Sequence, residues 1–297
     1  MIIDRPAPVT DRITLMGRQE SCVYLLDGKT SFAIIGGGMS YIVPDIVSQL
    51  DSLRIDRASI ERLVILHTHF DHVGIAPFMK GLMPGLKICA SARGREQLVR
   101  PEVISVIVDF NRSLVAANWP EADEKDFGIP FDRIEVDEEL RDSEQITVGD
   151  LTLQVLEVPG HSSCSIALYC PQQKALFASD AGGIPFRGMV FASANSNFDK
   201  YQESLEKMAR LDVEVHCAEH YGALTGDDGR SFMARSIESA RITRRLIEET
   251  YLKTKDTART TSEITELFLK EGSGYFLPRE VMEMVVGQMT RYLAKTL

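Results

Sequence analysis

"LVILHTHFDHVG", residues 63–74, places three histidines and an aspartate within six positions of a 297-residue chain that has only six histidines. At that histidine frequency a preset His-x-His-x-Asp-His arises by accident in roughly one chain of this length in several thousand, so chance explains it poorly. Four apolar residues, Leu63 to Leu66, run straight into the cluster, and a Val73-Gly74 step follows it. That is the pattern of a buried strand ending in a loop that opens a helix. Loops at the strand ends of α/β proteins are where chemistry collects. A purely structural role for the histidines leaves this placement unexplained.

Working outward, His161 follows "LQVLEVPG", a strand and a Pro-Gly turn, and His220 follows "VEVHCAE", another strand end. Asp180 closes "KALFAS" in the same way. Alternate residues of an extended segment point the same way, so His67 and His69 can converge on one ion, while the bend after them turns Asp71 and His72 toward a second. His161 then completes the first site and His220 the second. Asp180, with two carboxylate oxygens, can bridge both. His216, inside a strand pattern, is expected to be structural.

The totals narrow the function classes. Hydrophobic residues make up 44% of the chain, enough for one large domain or a domain with an appendage. Lys+Arg 33 against Asp+Glu 43 gives a formal net charge of -10, with acidic residues thickest from Glu121 to Glu144. Such a surface repels phosphate backbones, so no nucleic-acid partner is expected. Five cysteines without a C-x-x-C pair indicate neither a disulfide framework nor a cysteine zinc site and fit a reducing cytoplasm. No apolar run nears the roughly 18 residues needed to span a bilayer, and Asp4 and Arg5 interrupt any signal-peptide core.

Turn residues separate strands expected at Arg12–Met16, Cys22–Leu26 and Phe32–Ile35. Gly36-Gly37-Gly38 reads as a tight turn, since no phosphate-binding glycine motif is present. Helices are expected from about Pro44 to Leu53, from Val73 to Met83 and from Pro101 to Asn118. Further strands are expected near Arg133–Val136, Gln145–Val148, Leu151–Val158, Ser165–Cys170 and Ala175–Ala178. After Thr225 the pattern turns helical: Met233, Ile237, Ala240, Ile247 and Tyr251 mark one face. Thr260 with Glu263 predicts a capping box for a second helix ended by Gly272, and Pro278 suits the first turn of a third. An apolar face on this tail makes a homodimer an expectation.

"HTHFDH" (67–72), "PGHS" (159–162), "FASDA" (177–181) and "AEHYG" (218–222) stand in the order and approximate spacing of the metallo-β-lactamase-fold superfamily, which residues 10 to 225 resemble. The resemblance implies an α/β fold, a metallo-β-lactamase αββα four-layer sandwich with a C-terminal all-helical appendage. Residues 1–225 would form the catalytic domain and residues 226–297 a helical extension packed on it. It also implies His67, His69, Asp71, His72, His161, Asp180 and His220 as metal ligands, the set reached from spacing.

True di-zinc β-lactamases carry a cysteine where Asp180 stands, and flavodiiron proteins a glutamate at the position of His69. The RNA-processing members are generally longer or carry extra binding elements. What remains resembles the group of glyoxalase II, lactonases and thioesterases. "VIVDFNRSL", "FDKYQESLEKMARL" and "YFLPREV" resemble, more closely, the 2-aminobenzoylacetyl-CoA thioesterases of quinolone signalling. "AEHYG" departs from the more usual "PGHG".

The expected chemistry is hydrolysis of an activated acyl bond, first of all a thioester, by a water whose pKa falls toward about 7 between two divalent ions. The ions can be zinc, iron or manganese, since no thiolate ligand selects among them. Asp71 and Asp180 would hold the ions and carry the proton. Tyr221 is a candidate donor to the developing oxyanion. Asn111, Asn195, Tyr275 and Phe276 are candidates for the substrate pocket, with Arg112, Arg187 and Arg279 offsetting a coenzyme A anion. Two other readings share the fold. One is a mononuclear-iron persulfide dioxygenase using His67, His161 and Asp180; the other is a regulatory module whose helical tail binds a partner.

Overall fold

In the computed structural model, which describes residues 1–297, the run before the histidines is apolar because both of its faces are covered. Leu63 and Ile65 face a helical layer, whereas Val64 and Leu66 pack between two sheets, and none of the four is more than 1% exposed. Side chains alternate across a strand, so a strand buried on both faces has no polar positions. The same alternation separates Cys22, Tyr24 and Leu26 from Val23 and Leu25.

One sheet has the order Ala7–Pro8, Ile13–Arg18, Ser21–Asp27, Phe32–Ile35, Ile60–Val64, Lys87–Ser91, Glu138–Leu140. Its strands are antiparallel up to Phe32–Ile35 and parallel from there on. The other runs Ile2–Ile3, Ala223–Thr225, Val215–Cys217, Ala175–Phe177, Ile166–Cys170, Leu151–Glu157, Gln145–Val148. Only the Ala175–Phe177 and Val215–Cys217 pair is parallel there.

Helices α1 (Val43–Ser52), α2 (Ala76–Leu82), α3 (Ala92–Gln97) and α4 (Pro101–Asn118) lie on the side of the first sheet. Ile46, Met79 and Ile107 from α1, α2 and α4 share a cluster with Leu63 and Ile65. On the far side, α5 (Phe198–Met208), α6 (Asp227–Thr254), α7 (Thr257–Glu271) and α8 (Arg279–Leu293) supply Phe198, Phe232, Ile264 and Met289 to a cluster with Leu176 and Leu224 of the second sheet. Helices, sheet, sheet, helices is the expected αββα sandwich. No helix is long and apolar enough to cross a membrane.

The helices after residue 225 pack on the rest of the chain, α6 sharing one apolar cluster with α5 and the second sheet. Two expectations need revision. Arg133–Val136 forms no ladder: Ile134 and Val136 are buried against the helical side, and Glu138–Leu140 pairs with Lys87–Ser91 instead. The second tail helix starts before the Thr260 and Glu263 pair. Asp256 caps it by accepting from Arg259 N at 2.9 Å, while Thr260 Oγ1 donates back to Asp256 O at 2.8 Å from inside the first turn.

Candidate metal centre

Every residue expected as a ligand sits just past a strand end at one edge of the sandwich. His67 and His69 follow Ile60–Val64, and His69 precedes a short turn, Phe70–His72, that carries Asp71 and His72. The Gly36-Gly37-Gly38 turn lets that loop approach: Gly74 N and Ile75 N donate to Gly38 O and Gly37 O, and a Cβ on Gly37 would fall 2.2 Å from His72 O. His161 follows Gly160, and Asp180 lies in the turn Ser179–Gly182 after Ala175–Phe177. His220 comes three residues after Val215–Cys217.

The side chains converge in two groups. His161 Nε2 lies 3.2 Å from His67 Nε2 and 2.9 Å from His69 Nδ1. His220 Nε2 lies 3.1 Å from His72 Nε2 and 3.5 Å from Asp71 Oδ2. Asp180 stands between them, with Oδ2 at 3.5 Å from His161 Nε2 and 3.4 Å from His72 Nε2, and Oδ1 at 3.6 Å from His220 Nε2. Within His67, His69 and His161, and again within Asp71, His72 and His220, the ligand atoms all fall within 4.8 Å of one another.

The protonation pattern suits cations. His161 Nδ1–H donates to Ser193 O and His220 Nδ1–H to Glu20 O, both at 2.7 Å. A carbonyl only accepts, so each neutral ring keeps its proton on Nδ1 and turns the lone pair of Nε2 inward. Imidazole nitrogens facing one another in this way match the ligand-to-ligand edge of about 3.3 Å around a tetrahedral ion at about 2.0–2.1 Å. Burial, reinforced by the neighbouring imidazoles, pushes His67 well down and His69 down to about 3. Burial opposes ionisation of Asp71, but His72 and His220 outweigh it and hold the carboxyl down at about 2. Asp180 is likewise held low by His72, His220 and His161 against the cost of burial. Burial lowers His72 too, yet Asp71, Glu219 and Asp180 raise it well above the usual imidazole range. His67 and His69 are thus neutral donors beside ionised carboxylates, whereas Asp180 also raises His220 against burial, so His72 and His220 would each have to give up a proton to a divalent ion.

The centre opens into a cavity of about 510 Å³ lined by Phe70, Val106, Phe110, Phe191, Phe276 and Met289 among others, and by no lysine or arginine. Its charged residues other than histidines are Asp71, Glu102 and Asp180. Asn195, Tyr275 and Phe276 line it as expected. Phe276 packs on His220 with ring centroids 4.7 Å apart.

Other candidates lie elsewhere. Asn111 is fully buried and structural: its Oδ1 accepts from Ser40 N at 2.7 Å and its Nδ2 donates to Phe70 O at 2.7 Å. Tyr221 does not line the cavity, and its hydroxyl accepts from Phe276 N at 3.1 Å. It braces the segment between α7 and α8. Arg112 pairs with Glu124 at 2.6 Å, Arg187 donates to Ser273 O at 2.7 Å, and Arg279 pairs with Glu266, so none of the three faces the site. His216 is buried against Phe232, and burial alone pushes it down to about 3.

Sequence reasoning missed Glu219. Its Oε2 is 3.0 Å from His72 Nδ1, and it is 2% exposed. The signal was present: in "AEHYG" a carboxylate stands where the usual pattern has glycine, beside a candidate ligand.

Residues 16–220 match the model of the metallo-beta-lactamase superfamily, and the chain belongs to that family. It is 23% identical to glyoxylase B2 of Dictyostelium discoideum over 54% of this chain and 50% of that protein. It is 27% identical to the acyl-coenzyme A thioesterase MBLAC2 of Bos taurus over 53% of this chain and 57% of that one. The chain thus spans about half the length of these curated relatives. Among solved structures, a metallo-beta-lactamase family protein from Thermus thermophilus is similar in fold, with a TM-score of 0.65, 19% identity, and coverage of 98% of this chain and 92% of that one.

Proposed function

We propose that this protein is a hydrolase with a dinuclear metal centre that cleaves an activated acyl bond, first of all a thioester, whose acyl portion is apolar. The observation that carries this is Asp180 standing between two converging ligand groups at the floor of an apolar cavity. The superfamily membership and the likeness to a thioesterase support it. Bound divalent ions would supply Lewis-acid polarisation of the carbonyl and a nucleophilic water at neutral pH.

The chain's own groups do the rest. Asp71 and Asp180, held low against the cost of burial by His72 and His220, would help hold the ions and offer carboxylate oxygens that accept a hydrogen bond from the water. The carbonyls of Ser193 and Glu20 hold His161 and His220 in the orientation required. The aromatic and aliphatic wall from α4, α7 and α8 excludes water and positions the acyl group. With no cation in the wall, the charged part of a leaving group such as coenzyme A stays outside the cavity.

Metal content of protein purified without oxygen or added metal tests the proposal together with a thioester, lactone and phosphodiester panel. Two ions per chain and turnover of apolar acyl thioesters are expected. One iron per chain with oxygen uptake on glutathione persulfide would overturn it in favour of a dioxygenase.

A further inference from the structure

Glu219 is a carboxylate buried among metal-site histidines with no lysine or arginine to pair it. Burying an unpaired charge is costly, so what surrounds this one identifies what it is for. Its Oε2 accepts the hydroxyl proton of Ser179, and the same Ser179 Oγ lies 3.1 Å from His67 Nδ1. The 3.0 Å contact from Oε2 to His72 Nδ1 is close but off the line of the ring N–H, which makes it electrostatic. Oε1 has no partner and sits against Gly36, where a Cβ would come within 2.5 Å of it. Ser179 takes a left-handed φ of 49° in the turn that carries Asp180. A residue other than glycine holds that conformation only where its surroundings compensate.

The protons can be assigned. A carboxylate only accepts, so the Ser179 proton points at Glu219, and Ser179 Oγ can then only accept from His67 Nδ1–H. The negative charge beside His72 Nδ1 favours a proton on that nitrogen as well. His67 then presents a bare Nε2 toward His161, and a proton held on Nδ1 of His72 leaves its Nε2, which points toward His220, as the nitrogen that would be freed for a metal. His161 and His220 have backbone carbonyls to set their tautomers; His67 and His72 have Glu219.

Resting on the metal-hydrolase reading, we infer that Glu219 is a positioning residue shared by the two halves of the centre. It acts on His72 directly and on His67 through Ser179.

The test compares wild type, Glu219→Gln and Ser179→Ala for zinc affinity by chelator competition, for the visible spectrum of the cobalt-substituted protein, and for thermal unfolding. Glu219→Gln, nearly the same shape, should fold, lose about 10–100-fold in affinity at both sites together, and shift the cobalt spectrum. Ser179→Ala should weaken only the site containing His67, and it stands as the test if Glu219→Gln does not fold. Unchanged affinity and spectrum in a folded variant would overturn the inference, while two ions in wild type would leave the hydrolase reading intact. Three ions in wild type, with one lost in Glu219→Gln, would also overturn it by making Glu219 a ligand. A wild type that takes up no metal would sink the hydrolase reading itself.

Discussion

The metal end and the apolar chamber above it are built from different parts of the chain by different physics. At the metal end, short loops just beyond strand ends hold polar side chains whose outward atoms are tied to backbone carbonyls or to Glu219. In the chamber, α4, the loop before α8 and α8 itself present Val106, Phe110, Phe276 and Met289, apolar side chains held by packing, with one backbone hydrogen bond from Phe276 to Tyr221. On the proposed hydrolase function, chemistry falls to the strand-end loops and selectivity to the helices. Substitutions at the metal end should therefore abolish turnover, and those in the chamber should redirect it.

The largest effect is expected from Asp180→Asn, which keeps the shape but removes the charge standing between the ligand groups. The fall in kcat/KM should exceed the roughly 10–100-fold that loss of an outer hydrogen-bond partner costs. Bound metal should fall with it, while circular dichroism stays native. Full activity in this variant would break the assignment of chemistry to this end.

Asn111→Ala probes the seam between the two regions, because Asn111 lies on α4 and holds the Phe70 carbonyl between His69 and Asp71. Removing it strands the buried Ser40 N–H and Phe70 carbonyl, at about 1–3 kcal/mol for each unsatisfied group. Denaturant unfolding should show a loss of about 2–6 kcal/mol with unchanged metal stoichiometry. A stability change below about 1 kcal/mol would show the seam to be held by packing, such as the Phe70–Phe110 stack at 4.4 Å, and not by this amide.

How much of this was legible follows the same division. Leu63 to Leu66 announced a strand covered on both faces, and the histidine spacing announced two converging groups, because strand periodicity carries both signals within a few residues. Arg133–Val136 has a convincing alternation, but pairing depends on a register with Lys87–Ser91 that no local window contains. Asp256 and Thr260 are both good capping residues, and the choice between them rests on which turn packs against α6 and α8. Asn111 and Tyr221 were singled out by type and neighbourhood, yet their partners, Ser40, Phe70 and Phe276, are far away in the chain.

Val106→Lys sharpens the comparison from the chamber side. Val106 lines the cavity at its mouth and is 52% exposed, so a lysine there can reach water without disturbing the fold. In a wall without any cation it should lower KM for anionic acyl thioesters by about 3–5-fold, equivalent to the roughly 1 kcal/mol of a partly screened charge pair, with kcat nearly unchanged. A drop in kcat without a change in KM would mean that this rim takes part in the chemical step.

The smallest effect separates bracing from catalysis at Tyr221. Its hydroxyl accepts from Phe276 N, its ring packs on Phe186 at a centroid distance of 4.9 Å, and burial pushes its phenol up to about 12. Tyr221→Phe keeps the ring packing and loses one partly exposed hydrogen bond, worth about 0.5–1.5 kcal/mol. Because that bond positions Phe276 over His220, the loss should appear as a rise in KM of at most about threefold, with kcat preserved. An oxyanion donor behaves differently: its removal costs about 100- to 1000-fold in kcat. A loss of that size would move Tyr221 from the chamber wall into the chemistry and erase the boundary between the two regions at this residue.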